Sequence, residues 1–265
     1  MERAGGAQAA AEVPGSLGLR RPGLGRGAAQ ALDPAVQLNG GAPVPAFHPG
    51  PESLPEEIAV FPLTGALLLP QGRLPLNIFE PRYLAMVQDS LGRGRFFGMI
   101  QPDPSAPGVT PPGLYGTGCL GRVSSFSETE DGRLLITLTG LLRFQVRQEL
   151  PLHPGGYRRV RADYRPWLAD LETGGAEPLL DRAALMSALH PYFRARRIEA
   201  NWEAIEKLPD PMLVTTLAMV CPFDPREKQA LLEAPTPEDR ARTLVTLLQM
   251  DALGGPDASP SGRPS

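Results

Sequence analysis

Few side chains in this 265-residue chain are of a type that does covalent chemistry, and their spacing restricts what they can do. The two lysines, Lys207 and Lys228, each follow a glutamate. A P-loop needs Gly-Lys-Ser/Thr so that the lysine reaches the phosphates, and neither lysine meets that pattern. Ser105 lies in Asp103-Pro104-Ser105-Ala106-Pro107-Gly108. A hydroxyl nucleophile needs an adjacent base, yet both lysines fall in helices expected in the other half of the chain. Ser105 therefore reads as a turn serine. His48, His153 and His190 share no ligand or catalytic spacing: one is in a tail, one abuts Pro154-Gly155-Gly156, and one precedes Pro191 near a helix end. Cys119 and Cys221 are too few for a disulfide framework or a zinc site and suit a reducing cytosol. Cys119 reads as a buried structural thiol. No catalytic residue, metal ligand or cofactor follows from these residues.

Two constellations point to binding instead. Phe79, Arg82 and Tyr83 sit where Glu80-Pro81-Arg82 opens a helix. One reading has Glu80 and Arg82 capping and pairing to pin the helix to a barrel. The other exposes Phe79, Arg82 and Tyr83 as an edge that contacts a bound peptide. The second constellation is a basic stripe. Arg143, Gln145 and Arg147 alternate along one strand, and Arg159 and Arg161 along another, with Tyr157 at the edge. Tyr–Arg surfaces stack on bases and bind phosphates. Glu128, Glu130, Glu149 and Asp163 lie close enough to neutralise the stripe, so a solvated mixed-charge face is the preferred reading.

The elements that would position these residues change character along the chain. Ile58–Phe61, Leu67–Leu69 and Leu74–Phe79 read as strands or extended segments, with Pro62, Pro70 and Pro75 at ends, edges or bends. Tyr83, Leu84, Val87 and Leu91 recur at helical spacing behind Pro81, which predicts a helix over Pro81–Leu91 ended by Gly92 and Gly94. Phe96–Ile100 and Cys119–Ser127 are strands around a Pro-rich loop. Asp131-Gly132 marks a hairpin. Leu134–Leu138 alternates, Gly140 allows a bend, and Leu142, Phe144 and Val146 alternate beyond it. Tyr157–Tyr164 is the last strand. Short strands with little helix between them suggest a closed or nearly closed antiparallel barrel.

Beyond Pro166 the period becomes helical. Leu185, Leu189 and Phe193 share a face, Asp210-Pro211 opens a second helix, and Asp224-Pro225-Arg226-Glu227 and Thr236-Pro237-Glu238-Asp239 are capping signatures for two more. About four helices are expected, an α-helical bundle subdomain. The fold class is therefore α+β. The expected organisation is a disordered Ala/Gly/Pro-rich tail over 1–53, a β-barrel subdomain over 54–168, a helical subdomain over 169–252, and a second disordered tail over 253–265. A net charge of -3 argues against bulk nucleic-acid or anionic-membrane binding. No apolar run reaches the length of a membrane span, and no secretory leader pattern opens the chain.

A family resemblance rests on a series of short words. These are Phe61-Pro62-Leu63, Leu69-Pro70, Leu74-Pro75-Leu76, Phe79-Glu80-Pro81-Arg82-Tyr83, Gly118-Cys119, Gly121-Arg122-Val123, Asp131-Gly132-Arg133, Leu138-Thr139-Gly140, Arg143-Phe144, Pro222-Phe223 and Glu227–Glu233. In this order they resemble the N-terminal, substrate-binding domain of Lon proteases, in the small stand-alone form found in bacteria, over about 55–250. The resemblance implies a PUA-like pseudo-barrel followed by a helical subdomain. It implies a region that, in full-length Lon, recognises and holds protein substrates and supports hexamer assembly while carrying none of the chemistry. Ser105 and its neighbours only faintly echo the Lon nucleophile motif.

The expectation is thus a non-enzymatic, cytoplasmic module that binds protein or unfolded peptide, in a substrate-recognition or adaptor role, with no cofactor. An RNA-binding PUA-like module is the alternative, resting on the arginine stripe and fold analogy. A hydrolase, by family naming only, is the second alternative. DNA and membrane partners are not expected, and the sequence does not fix the oligomeric state.

Overall fold

The computed structural model describes residues 49–105, 112–172 and 181–254. The tails expected over 1–53 and 253–265 lie outside the described residues except at 49–53 and 253–254. Residues 51–53 form a 3-10 turn. The described residues fall into two compact units. The first holds 49–172 and 218–233, and the second holds 181–217 and 234–254.

Six strands build the first unit: β1 (Glu57–Pro62), β2 (Arg73–Ile78), β3 (Phe96–Ile100), β4 (Thr117–Glu128), β5 (Leu134–Leu150) and β6 (Arg158–Asp163). They pair in the order β2-β5-β4-β3-β1-β6, and β6 also pairs with β5. That last pairing closes the barrel and leaves β2 as an edge strand with β5 as its neighbour. β1 and β3 run parallel and the remaining pairs are antiparallel.

Closure depends on β5. Its first third pairs with β2 and its last third with β6, while β4 runs beside most of it. One 17-residue strand serves two partners because it bends. The β4–β5 register shifts between Leu120 and Gly121, and the β5–β6 register between Val146 and Gln148. Each shift inserts an extra residue, Leu141 and Arg147, which increases the local twist. The alternating stretches on either side of Gly140 are thus one strand, bent as Gly140 allows.

Leu67–Leu69 is not a strand. Pro70 and Gln71 occupy the centre of a turn in which Gly72 N–H donates to the Leu69 carbonyl at 2.9 Å. Gln71 has φ 64, and proline followed by a positive-φ residue is the type II pattern. Leu67, Leu68 and Leu69 are buried nonetheless, so their apolar content comes from core filling rather than a sheet ladder. Val60, Leu120, Leu142, Phe144 and Val160 form the barrel's interior cluster. Each such side chain contributes roughly 1.5–3 kcal/mol on burial.

α1 (Pro81–Leu91) has the bounds its spacing predicts and buries Tyr83, Met86 and Val87. α5 (Pro225–Glu233) belongs to the first unit as well. Lys228 Nζ donates to the Gly65 carbonyl at 2.6 Å and to the Met219 carbonyl at 3.3 Å. Burial pushes this amine below the usual lysine range. Gln229 donates to the Thr117 carbonyl at 3.1 Å, and Gln101 donates to the Pro225 carbonyl at 2.8 Å. The helices expected as one block over 169–252 are thus shared between the units, because these buried polar contacts tie α5 to the sheet.

The capping box opening α5 is complete. Asp224 N–H donates to Glu227 Oε2, and Glu227 N–H to Asp224 Oδ1, both at 2.8 Å. Asp224→Ala removes one arm and should lower stability by about 1 kcal/mol, read as a shift of the urea midpoint at unchanged slope.

In the second unit, α2 (Arg182–Arg196), α3 (Trp202–Lys207), most of α4 (Asp210–Val220) and α6 (Pro237–Gly254) pack around Leu185, Leu189, Leu213, Leu217, Leu244 and Leu248. α2 runs through Pro191 rather than ending near it, and closes at Arg197 in the left-handed region. Burial of Tyr192 and Phe193, immediately beyond Pro191, holds the helix across the missing N–H. Arg182 donates to the carbonyls of Ile205, Glu206 and Leu208 and pairs with Asp210, which satisfies the end of α3.

Candidate functional site

The helix entrance divides the predicted edge. Tyr83 is buried, its ring 4.2 Å from that of Phe61. Burial raises its phenol above the ordinary range. Arg82 lies on the surface, 4.5 Å over the Tyr83 ring, with Nε donating to Glu80 Oε2 at 2.8 Å. Glu80 makes no side-chain cap to the helix. Its carbonyl instead accepts from Tyr83 and Leu84 N–H, both at 2.9 Å. Tyr83 therefore holds the helix to the barrel, and Phe79, 40% exposed, stays at the surface.

The basic stripe does not form as an exposed row. Arg143 is 3% exposed and donates to both Asp170 oxygens at 2.8 Å and to the Leu232 carbonyl at 3.1 Å. Its guanidinium lies 3.7 Å over the Trp167 ring. Arg147 sits in the β5 bulge and pairs with Asp163, which Arg165 also contacts. The hydrogen bonds from Arg165 and Arg147 hold that carboxyl far below the usual range. Arg161 pairs with Glu57 at 3.2 Å, and Arg159 donates to the Pro151 carbonyl at 3.3 Å. A groove does bring Arg147, Arg161 and Arg165 together, but Glu52, Glu56 and Asp163 line it too. Bulging and pairing have converted a sequence alternation into separate ion pairs.

Tyr157 is also withdrawn. It is buried, stacks on His153 at 4.3 Å and donates to Asp89 Oδ2 at 2.8 Å. Burial, then the Asp89 hydrogen bond, pushes its phenol up to about 12. His153 Nδ1 accepts from Gly155 N–H at 3.1 Å, which fits a turn histidine. Ser105 N–H donates to Asp103 Oδ1 at 2.8 Å, an Asx turn. Among the described residues no His/Cys/Asp/Glu group is arranged to hold a metal.

A different surface carries three exposed apolar side chains. β2, the first third of β5 and the end of β4 form a three-stranded arm. Its inner face buries Leu74, Leu76, Ile78, Leu134, Ile136 and Leu138. At its distal end Phe79, Leu135 and Phe126 are 40%, 43% and 47% exposed. Leu135 lies opposite Asn77, diagonal to Phe79, and Arg133 sits 5.6 Å over the Phe79 ring. Phe126 ends the inner face opposite Ile136. Sequence reasoning named Phe79 but missed Leu135 and Phe126, since an alternating strand does not reveal which end of the sheet lacks a covering layer.

Comparison with known proteins agrees with this architecture. Residues 57–250 match the family model described as the ATP-dependent protease La (LON) substrate-binding domain. The chain is 31% identical over 128 residues to Lon protease 2 of Sorangium cellulosum, covering 48% of this chain and 15% of that protein. It is 27% identical over 206 residues to Lon protease 2 of Thermus thermophilus, covering 75% and 24% respectively. The chain thus spans about a quarter or less of the length of these relatives. The crystal structure of a Lon N-terminal domain protein from Xanthomonas campestris superposes with a TM-score of 0.51 at 22% identity, covering 72% of this chain and 97% of that one. The family match spans most of the chain and runs through both the barrel and the helices. This protein belongs to the LON substrate-binding domain family.

Proposed function

We propose that this chain is a non-catalytic module that binds polypeptide, in a substrate-recognition or adaptor role, and that it does so at the distal end of the β2–β5–β4 arm. The observation that carries this reading is the exposure of Phe79 and Leu135 as diagonal neighbours on its outer face, beside an edge strand. Unfolded polypeptide offers exposed apolar side chains, and clustered aromatic and aliphatic anchors are what bind them. The matched region, 57–250, is a substrate-binding domain, and the sequence has no P-loop, which supports a role in recognition rather than turnover. A cytoplasmic location suits two buried cysteines that form no disulfide. RNA binding is less favoured, because one of its two supports, the arginine stripe, has Arg143 buried and Arg147 and Arg161 paired with carboxylates.

Fluorescence anisotropy with a labelled, permanently unfolded protein such as reduced, carboxymethylated lactalbumin tests the reading. Phe79→Ala/Leu135→Ala should weaken binding about tenfold or more. Both residues are exposed, so melting temperature should change little. Leu152→Ala/Leu168→Ala, at exposed residues off the arm, should bind like the parent protein. Equal binding by the parent and the arm variant would sink the proposal.

A further inference from the structure

We propose that His153 is a pH-driven latch in the β5–β6 turn. Neutral, its ring fastens the turn to itself; protonated, it fastens the turn to α1 through Asp89.

The turn over 151–157 is built around this histidine. His153 N–H donates to the Tyr157 carbonyl at 3.0 Å, and Gly156 N–H to the His153 carbonyl at 2.8 Å. Gly155 N–H donates to His153 Nδ1 at 3.1 Å. That bond needs a lone pair on Nδ1, so the neutral ring carries its proton on Nε2. Protonation places a hydrogen on Nδ1 as well. The Gly155 N–H then faces a donor and loses its acceptor. α1 lies against the same turn: a Cβ on Gly155 would stand 3.3 Å from that of Ala85, and one on Gly156 3.3 Å from that of Arg82.

Across this contact Asp89 Oδ2 is 3.9 Å from Nδ1. This is about 1 Å longer than a charge-assisted hydrogen bond, so the neutral ring does not make it. The ring stacks on Tyr157 with centroids 4.3 Å apart and planes at 20°. A slide of the ring along its own plane therefore closes the gap and keeps the stack, and a charged imidazole gains from the aromatic face. Tyr157 OH already donates to Asp89 Oδ2 at 2.8 Å, and a carboxylate has lone pairs for both donors. Burial, then that bond, pushes the phenol up to about 12, so Tyr157 stays a donor while the histidine changes charge.

The surrounding charges leave Asp89 as the group that answers the imidazolium. Arg93, beyond the end of α1, and Arg159, on β6, both act on the Tyr157 phenol and oppose a further positive charge. Arg82 is paired with Glu80, and Glu149, at the end of β5, with Arg158. The His153 side chain is 22% exposed, so solvent protons reach it without unfolding. One ring thus exchanges a bond within the turn for a bond to the helix whose entrance carries Phe79 and Arg82.

Nitrogen-15 NMR of the full chain from about pH 8 to about pH 5 tests the inference. Long-range proton–nitrogen spectra report which ring nitrogen carries the proton. At the alkaline end Nδ1 of His153 should hold the lone pair. On acidification it should gain a proton, and the Gly155 amide proton should move upfield on the same titration curve as its hydrogen bond breaks. His190, stacked on Trp202, is the internal reference, and its titration should leave Gly155 unmoved. Asp89→Asn keeps an oxygen for Tyr157 but removes the charge, and should lower the His153 midpoint by about half a pH unit or more. A proton on Nδ1 at the alkaline end, a Gly155 amide that ignores the ring, or a ring still neutral at the acid end each overturns the latch. An unmoved midpoint in Asp89→Asn overturns the bond to α1. The parent titration decides the first three outcomes whether or not the variant folds.

Discussion

Arg143→Ala should lower the stability of the sheet unit by about 3–5 kcal/mol, the range found when one partner of a buried ion pair is removed. The side chain is 3% exposed, and Asp170 opposite is also largely buried. Truncation leaves the Asp170 carboxylate with the Arg143 backbone N–H at 3.0 Å as its remaining donor from that residue. It also strips the Leu232 carbonyl of its 3.1 Å donor and empties the space over Trp167. Three segments lose their connection at once: β5, the 3-10 stretch Arg165–Leu171 and the end of α5. The discriminating variant is Arg143→Met/Asp170→Leu. Replacing both charges by apolar groups removes the stranded carboxylate, so the double variant should recover more than half of the loss. Urea unfolding of the two variants and the parent measures this. A loss below about 1 kcal/mol for Arg143→Ala would show that the pair adds little beyond a surface ion pair.

That arginine also marks where the sequence misleads. Arg143 and Arg147 stand four residues apart, and in a regular strand they would share a face. The bulge at Arg147 and the packing of Trp167 and Asp170 against Arg143 depend on residues far away in the chain, which no local pattern displays. Local chemistry was easier to read. Pro81 and the apolar spacing behind it set α1 to the residue, Asp131-Gly132 turned the β4–β5 hairpin with Gly132 at φ 79, and the capping box at Asp224 formed with both arms. Each of those is decided within a few residues. The candidate site was half legible for the same reason. Phe79 belongs to a recognisable word of the family, whereas the exposure of Leu135 follows from which end of a three-stranded arm lies uncovered.

The second large effect is expected at Gly140. A Cβ there would lie 2.0 Å from the Leu69 carbonyl oxygen and 2.8 Å from its carbon, well inside contact distance and against backbone rather than a flexible side chain. The Leu69 carbonyl cannot retreat freely, because it accepts from Gly72 N–H at 2.9 Å in the Pro70-Gln71 turn. Gly140 is itself held on both sides: its N–H donates to Gly72 at 2.8 Å, and its carbonyl accepts from Gln71 at 2.9 Å. Gly140→Ala must therefore displace either the turn or the bend in β5 that lets one strand serve both ends of the barrel. Overpacking of this kind costs about 1–3 kcal/mol, and two weakened backbone hydrogen bonds add about 1 kcal/mol each. The expected total is about 3–5 kcal/mol. Gly116→Ala is the control, since a Cβ at Gly116 meets nothing within 4 Å and its φ is not positive. It should leave stability within about 0.5 kcal/mol of the parent. The bend also sets the register of β5 against β2. Gly140→Ala should therefore speed amide exchange along Arg73–Ile78 more than along β3, measured under native conditions. Uniform loss of protection across both strands would mean that the turn and the barrel yield together and that Gly140 does not separately anchor the arm.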